Sequence, residues 1–261
     1  MMRWRLFLTI VSVSVLIFLG TALSNQRQQD AQVLHVATSP DYCPYEFIDS
    51  TNGTNALVGF DIDVVEAIAE QLDAPIHFDA MPFNQIILAL RSREADVAIA
   101  ALTPTEERKQ VVSFSVVYHV TESLIISPAD RPIDALSDLS NQRIGVKPGT
   151  VHAQLASTVS NGQLITFDRT GELVRAVKTG EVDAAILDAA LAPYYVRQRS
   201  NIHSIVVEND DTAGVAIALP KRSSWLRPIN ETIRQMQTDG TLDELALKWF
   251  DDYVCATTES D

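Results

Sequence analysis

Hydrophobic and polar positions along the chain follow two alternating periods, which predict a succession of strands and helices. Short apolar runs bounded by polar residues predict buried strands, and segments with apolar residues three or four positions apart predict helices. The segment 33–37 (VLHVA) is typical of a strand, and 60–72 places its apolar residues at helical spacing. The order then continues as strand, helix and strand over 75–78, 84–91 and 96–101.

The same order recurs from residue 143 onward. Strands are predicted at 143–146, 164–167, 183–187 and 204–207, and helices at 151–160, 172–179 and 193–198. The residues themselves show the repetition, because ALRSREADVAIAAL (89–102) is followed by the similar stretch AVKTGEVDAAILDA (176–189). Strands that alternate with helices indicate parallel sheets covered on both faces. We therefore expect two α/β lobes, each a mostly parallel sheet flanked by helices.

The last part of the chain contains one more strand and two helices without strands of their own. The segment 210–221 (DDTAGVAIALPK) predicts the strand. Helices are predicted over about 225–238 and 241–250, and the capping box Thr241-x-x-Glu244 opens the second. These helices must pack on one of the lobes, and we expect the first.

Packing of these helices on the first lobe makes that lobe discontinuous in sequence. Lobe 1 is predicted over 33–121 and 213–254, and lobe 2 over 122–212. Two strands then link the lobes, one near 122–127 and one near 213–219. A two-strand hinge of this kind permits the lobes to close.

The first 24 residues differ in pattern from the rest of the chain. Arg3 and Arg5 precede an apolar run from Leu6 to Gly20, and small residues follow, as in a secretory signal peptide. We therefore assign 1–24 as a signal peptide and expect a periplasmic or extracellular protein. The alternative is an uncleaved membrane anchor, since the uncharged run is just long enough to span a bilayer.

The charge balance excludes one large class of function. The formal net charge is −14, and without Arg3 and Arg5 the 18 remaining basic residues face 34 acidic ones, a net charge of −16. Such a surface repels nucleic acid, and the chain has no basic stripe with interleaved aromatic residues. We expect no nucleic-acid partner.

Cysteine and histidine spacing predicts neither a disulfide scaffold nor a metal centre. An oxidising compartment would join Cys43 and Cys255 only if they lie within reach, and the sequence leaves that pairing open. The histidines form no H-x-x-x-H pair, and the chain has no C-x-x-C. We expect no metal and no cofactor.

Polar side chains follow the strands at the positions where ligands bind in α/β proteins. Ligands lie beyond the carboxyl ends of the strands in open α/β sheets. Thr103 and Arg108 follow the strand at 96–101, and Asp188 directly follows the strand at 183–187. A guanidinium with a hydroxyl grips a carboxylate, and an aspartate opposite it holds an ammonium. A cleft formed by facing lobes would therefore be complementary to a zwitterion.

Seven stretches in a fixed order carry a resemblance to a known family. The chain resembles the extracellular solute-binding proteins of polar amino-acid ABC transporters (family 3), from Val33 to about Tyr253. The matching stretches are CPYEF (43–47), VGFDIDVVEAIAEQL (58–72), MPFNQIILAL (81–90), ADVAIAALTPTEERKQVVSFS (95–115), IGVKPGT (144–150), GEVDAAILD (180–188) and DGTLDELALKWF (239–250). The resemblance implies the type II periplasmic-binding-protein fold. It also implies a protein, expected to be a monomer, that delivers an amino acid to a membrane ABC transporter permease.

The resemblance assigns four residues to the ligand α-carboxylate. Arg108 is similar in position to the arginine with which the family grips this group, and the Thr103 hydroxyl and backbone N–H are expected to assist it. Thr150 and Val151 stand at a helix start, where backbone N–H groups favour an anion. Arg108 taken alone is more typical of a solvated surface charge, and it is the resemblance that favours the ligand contact.

Other residues are assigned to the α-ammonium and to the ligand side chain. In the resemblance, the Ala101 carbonyl and the Asp188 carboxylate face the ammonium, and Tyr42 and Phe83 enclose the side chain. Asp188 is also suited to cap a helix, and Phe83 to a core position. Ser39 stands where many family members carry an acid that contacts the ligand side chain.

The expected amino acid depends on the charges near its side chain. Ser39 removes a carboxylate, and Lys147 places an ammonium where it meets a carboxylate or an amide. Asp41 lies close by in sequence and is able to restore the lost charge. We expect a polar uncharged or acidic amino acid, with glutamine or glutamate first. Asp61 and Asp63 are interpreted as charges in the first turn of a helix and not as ligands.

Two alternative functions remain open. A cyclohexadienyl-dehydratase-like enzyme on the same fold would need a carboxylic acid in the cleft as general acid, for which Glu122 and Asp41 are candidates. A membrane-tethered amino-acid sensor would need a separate partner. We expect no enzymatic activity, because an enzyme acting on such diacids has no use for an ammonium clamp at Asp188.

Overall fold

A computed structural model describes most of the chain, namely residues 33–51, 53–195, 201–207 and 214–253. The predicted signal peptide 1–24 lies outside these residues. In the part of the chain that the structure describes, no helix is both long and apolar enough to cross a membrane.

The first sheet has five strands, of which one is reversed relative to the others. In spatial order they are β5 (Ile76–Ala80), β1 (Leu34–Thr38), β6 (Val97–Ala98), β13 (Val215–Pro220) and β7 (Val112–His119). β1 pairs in parallel with β5 and β6, whereas β13 pairs antiparallel with β6 and β7. β13, which comes late in the sequence, thus lies within a sheet whose other strands come early in the sequence. We call this sheet with its helices lobe 1.

The second sheet has the same plan. In spatial order its strands are β10 (Gln163–Thr166), β9 (Arg143–Val146), β11 (Ala184–Asp188), β8 (Ser123–Pro128) and β12 (Ile202–Val207). β9 pairs in parallel with β10 and β11, and β8 pairs antiparallel with β11 and β12. The reversed strands, β8 and β13, therefore coincide with the segments expected to link the lobes. We call this sheet with its helices lobe 2.

Helices cover both faces of each sheet. They are α1 (Phe60–Gln71), α2 (Ile86–Ser92), α3 (Glu106–Val111), α4 (Val151–Ser157), α5 (Thr170–Thr179), α6 (Ala192–Tyr195), α7 (Leu226–Asp239) and α8 (Thr241–Ala246). Leu34 and Val36 of β1 belong to one buried apolar cluster, and Ala37 belongs to a second cluster with α2. Apolar residues on both sides of the same strand explain why the strand sequences read as nearly continuous hydrophobic runs.

The C-terminal helices pack on lobe 1. Ile233 of α7 and Trp249, in the π-helical turn Leu247–Asp252, share a buried cluster with Phe60 of α1. The indole Nε1 of Trp249 donates to Asp63 Oδ2 at 2.6 Å. Asp63 therefore anchors the C-terminal helices.

A small antiparallel sheet beside lobe 1 was not predicted from the sequence. Its strands are β2 (Asp41–Tyr42), β3 (Glu46–Asp49) and β4 (Ala56–Val58). Strands this short show no hydrophobic period. Cys43 lies in the turn between β2 and β3 and takes part in a disulfide, while Cys255, the partner considered from the sequence, lies outside the described residues.

Candidate functional site

A cavity lies where the carboxyl ends of strands from the two sheets face each other. The space between the lobes at this point is about 600 Å³, a volume that includes the open solvent at the mouth of the cavity. Nine of the ten residues proposed from the sequence line it: Tyr42, Phe83, Ala101, Thr103, Arg108, Lys147, Thr150, Val151 and Asp188.

Arg108 presents its guanidinium at one end of the cavity. Thr105 caps α3 by accepting a hydrogen bond from the Arg108 backbone N–H at 3.2 Å, which fixes the first turn of the helix. Nη1 of Arg108 donates to the Thr103 carbonyl and Nη2 to the Gly149 carbonyl, both at 2.8 Å. Burial lowers the pKa of Arg108 to about 10, because the charge has lost much of its water. A ligand carboxylate would accept hydrogen bonds from the guanidinium in place of the lost water. The planar guanidinium is able to donate two parallel hydrogen bonds to it.

Asp188, the last residue of β11, contributes a buried carboxylate from lobe 2. Its Oδ1 accepts hydrogen bonds from Thr121 Oγ1 at 2.5 Å and from the Ala190 backbone N–H at 2.8 Å. The second bond caps the 3₁₀ turn Ala189–Leu191, so the capping role considered from the sequence is present. Burial raises the pKa of Asp188 to about 7. A ligand cation would stabilise its ionised form.

The backbone at Ala101 is held in an unusual conformation by a buried aspartate. Ala101 has φ +46°, in the left-handed region, and its N–H donates to Asp61 Oδ2 at 2.7 Å. The other oxygen of Asp61 accepts from the Tyr118 hydroxyl at 2.7 Å. Asp61 does lie in the first turn of α1, but it is fully buried and supports the cavity from beneath, a role that the sequence interpretation missed.

The ammonium of Lys147 lies within reach of both aromatic rings expected to hold the ligand side chain. Nζ is 5.7 Å from the centre of the Tyr42 ring and 5.8 Å from that of Phe83. The same nitrogen pairs with Asp41 Oδ1 at 2.5 Å, and both side chains are largely buried. The ring faces attract cations. Asp41 therefore neutralises the ammonium of Lys147, which the sequence analysis had expected to contact a carboxylate or amide of the ligand.

Ser39 is the one proposed residue that does not line the cavity. It is buried, and its hydroxyl donates to Asp41 Oδ1 at 3.2 Å. Asp41 Oδ2 accepts the backbone N–H of Thr170 at 2.9 Å. A direct ligand contact from Ser39 therefore stays a prediction. In the structure the Ser39 hydroxyl supports Asp41, which supplies a carboxylate two residues further along.

Glu46 on β3 is a buried carboxyl at the cavity wall that the sequence analysis did not single out. The residue is 1% exposed, and its Oε2 has no hydrogen-bond partner within the described part of the chain. Burial raises the pKa of Glu46 well above its usual range, and the nearby Asp61 raises it further, against an opposing effect of Lys147. The sequence signal that could have identified Glu46 is a charged residue within an otherwise apolar strand.

The start of α4 lines the cavity beside Arg108. Thr150 caps this helix by accepting from the Ala153 backbone N–H at 3.1 Å, and its own N–H donates to the Lys147 carbonyl at 3.4 Å. His152 also lines the cavity, which the sequence did not indicate. Burial and the charge of Arg108 lower the pKa of His152 to about 4, so its imidazole is neutral near pH 7.

Hydrogen bonds join the two lobes around the cavity. In addition to the Arg108 and Lys147 bonds, the Asp188 backbone N–H donates to the Tyr42 hydroxyl at 3.2 Å. Gln154 Nε2 donates to Glu107 Oε2 at 3.1 Å nearer the surface. Lobe 2 residues thus reach lobe 1 residues on several sides, and the structure has its lobes closed on one another.

The fold and the charged interlobe cavity define the class as a two-lobed extracellular solute-binding protein. Residues 34–252 match the model of the bacterial extracellular solute-binding proteins, family 3. Because this match spans most of the chain, the protein belongs to that family.

Individual relatives agree with this assignment. The arginine-binding extracellular protein ArtP of Bacillus subtilis (strain 168) is 29% identical over 255 residues, which cover 96% of this chain and 98% of the relative. A solved ancestral arginine-binding protein bound to arginine has a TM-score of 0.78 and 34% identity, covering 84% of this chain and 98% of its own. An ancestral amino-acid-binding protein described as a precursor of cyclohexadienyl dehydratase has a TM-score of 0.76 and 30% identity, covering 84% and 96%.

Proposed function

We propose that this protein binds an amino acid between its lobes and delivers it to an ABC importer in the membrane. The observation that carries the proposal is the pair of opposite charges facing one cavity, the Arg108 guanidinium from lobe 1 and the Asp188 carboxylate from lobe 2. These groups complement the two charges of a zwitterion. Burial disfavours the charged form of each when the cavity is empty, so a bound amino acid would compensate both.

The same contacts suggest how binding is coupled to closure. In an open form the ligand would first meet Arg108 and Thr103 on lobe 1. Lobe 2 would then close over it, bringing Asp188 and the residues at the start of α4 into contact. The bond from Arg108 to the Gly149 carbonyl spans the lobes and would be made only on closure. A ligand that contacts both lobes stabilises the closed form, which the transporter would recognise.

For the ligand side chain we propose a basic amino acid, with arginine first. Lys147 is already paired with Asp41, so it offers little charge to an acidic ligand. Glu46 adds a further carboxyl with an oxygen available for a donor. The rings of Tyr42 and Phe83 favour a flat cation such as a guanidinium. Relatives named for arginine point in the same direction, and the earlier preference for glutamine or glutamate is not confirmed.

A thermal-shift screen of the 20 amino acids on the mature protein tests this proposal. A ligand at 100-fold over its dissociation constant is expected to add about 2.7 kcal/mol to the free energy of unfolding. Arginine should give the largest shift. A largest shift with glutamine or glutamate would overturn the side-chain assignment and leave the amino-acid clamp standing, whereas no shift with any amino acid would overturn the binding function.

A second candidate function is that of a dehydratase-like enzyme, and Glu46 is the observation that favours it. Burial raises the pKa of this carboxyl beside the cavity well above its usual range, which is the direction required of a general acid. The relative described as a precursor of cyclohexadienyl dehydratase has the same fold. Incubation with prephenate and with arogenate tests this candidate, since turnover that is lost in Glu46→Gln would favour it.

A further inference from the structure

Two histidines and one aspartate lie side by side on lobe 1, outside the residues that line the cavity. Parallel pairing of β1 with β5 places His35 opposite His77, and Asp79 lies two residues further along β5. Leu34 and Val36, the neighbours of His35, are fully buried. Since side chains alternate along a strand, His35 points to the opposite face of the sheet. The strand register therefore brings three side chains with metal-binding atoms onto one face.

The three side chains are already in mutual contact. His35 Nδ1 is 3.0 Å from Asp79 Oδ2, and His77 Nε2 is 3.5 Å from Asp79 Oδ1. One nitrogen or oxygen from each residue lies within 4.8 Å of the other two. Ligands around a tetrahedral zinc ion, each at about 2.0–2.2 Å from the metal, lie roughly 3.3–3.6 Å apart. Small side-chain rotations would therefore bring the three atoms around one ion.

The backbone beneath this cluster is fixed on its other side as well. The His35 backbone N–H donates to Asp96 Oδ2 at 3.1 Å, and the Asp96 N–H donates to the His35 carbonyl at 2.9 Å. β1 is thus held between β5 and the segment that leads into β6. This arrangement favours metal binding, because the backbone that carries His35 is already ordered and loses little conformational entropy when an ion binds.

We propose that His35, His77 and Asp79 form a binding site for a divalent transition-metal ion of the zinc class. Two imidazole nitrogens and one carboxylate oxygen are a known ligand set for Zn²⁺, with water in the fourth position. Mg²⁺ and Ca²⁺ prefer sites made of oxygen ligands and would be poorly held. The His35 and His77 side chains are 45% and 61% exposed, so the site is open to ions from solvent. The histidine spacing gave no signal, because the ligands come from two strands.

Calorimetric titration of the mature protein, without a histidine tag, with ZnCl₂ tests the proposal. One zinc ion is expected to bind per chain, and an equal concentration of MgCl₂ is expected to give no binding heat. His77→Gln and Asp79→Asn should each weaken zinc binding by about tenfold or more, since each removes one of three protein ligands. Both side chains are partly or largely exposed, and the thermal unfolding of each variant checks that it is folded.

His203→Gln provides a matched control on lobe 2. His203 Nε2 lies 3.0 Å from Asp134 Oδ1, and this pair belongs to no group of three His, Cys, Asp or Glu side chains close enough to share an ion within the described residues. Its zinc affinity should equal that of the wild type. Absence of zinc binding to the wild type, or equal affinity in His77→Gln, would overturn the site. The thermal response to arginine is measured on the same proteins, so failure of the zinc site and failure of the amino-acid site are separate results.

Discussion

Replacing Arg108 with alanine is expected to remove most amino-acid binding without unfolding the protein. The side chain lies at the cavity and its two hydrogen bonds go to carbonyl oxygens, at Thr103 and Gly149. It contributes no apolar group to the buried clusters of the described residues. The variant is therefore expected to remove the proposed ligand contact and one interlobe bond while the packing of both lobes is unchanged.

The size of the effect follows from the charge that is left without a partner. Truncating one side of a buried, hydrogen-bonded charge pair costs about 2–5 kcal/mol. Since 1.4 kcal/mol corresponds to a tenfold change in dissociation constant, the affinity should fall by roughly 30-fold to several thousand-fold. Loss of the bond to the Gly149 carbonyl also weakens closure. We therefore expect a value in the upper part of this range.

Isothermal titration with arginine measures this loss, and Lys109→Ala is the matched control. Lys109 is the next residue on α3, and it pairs with Glu106 at 2.8 Å on the protein surface. Its removal changes the net charge equally but should leave the affinity within about twofold of the wild type, as for exposed ion pairs generally. A folded Arg108→Ala protein with an affinity within about threefold of the wild type would refute the role of Arg108.

Two further predictions concern Asp188. Asp188→Asn is expected to weaken arginine by roughly 30-fold or more and to leave its desamino analogue nearly unchanged, because only the ammonium contact is altered. Titration with both ligands measures this, and equal losses would remove Asp188 from the ammonium site. Arginine affinity is also expected to fall as the pH is lowered from about 8 to about 6, because Asp188, whose pKa burial raises to about 7, loses its charge there. An affinity that is constant over this range would contradict the assignment.

Asp188 should make the unliganded protein more stable as the pH is lowered, whereas it should make the affinity for arginine fall. The pKa of Asp188 is raised to about 7 in the folded protein, above the value of about 4 for an unfolded aspartate. Between these values the folded state binds a proton that the unfolded state does not, so stability is gained as the pH falls through 7. His119 and His152 act in the opposite sense below about pH 6.5, since burial lowers their pKa to about 4. The comparison of wild type with Asp188→Asn isolates the aspartate, and the variant should gain less stability between pH 8 and pH 6.

The sequence predicts the fold where the pattern is local. The segments 33–37 and 60–72 correspond to β1 (Leu34–Thr38) and α1 (Phe60–Gln71), because each has a clear hydrophobic period. The reversed strand β8 was located by its place between the two repeated series, and the reversed strand β13 by its place after the second series. The β2–β4 sheet was missed, since strands of two to four residues carry no period.

The sequence predicts part of the site for a similar reason. Strand ends locate Thr103, Arg108 and Asp188, because the carboxyl ends of parallel strands share one edge of a sheet. Asp61 and Glu46 could not be placed in this way. The bond from Ala101 to Asp61 joins residues 40 positions apart, and such a contact depends on how the helix packs on the sheet and not on any local pattern.

The central claim is that one amino acid is held at both ends between the lobes, and a crystal structure with arginine tests it most directly. We predict that the ligand α-carboxylate lies within about 3 Å of the Arg108 guanidinium and the Thr103 hydroxyl or N–H. The α-ammonium should lie at the same distance from Asp188, with the guanidinium of the ligand between Tyr42 and Phe83. Arginine bound outside the cavity, or bound there with its carboxylate away from Arg108, would contradict the account.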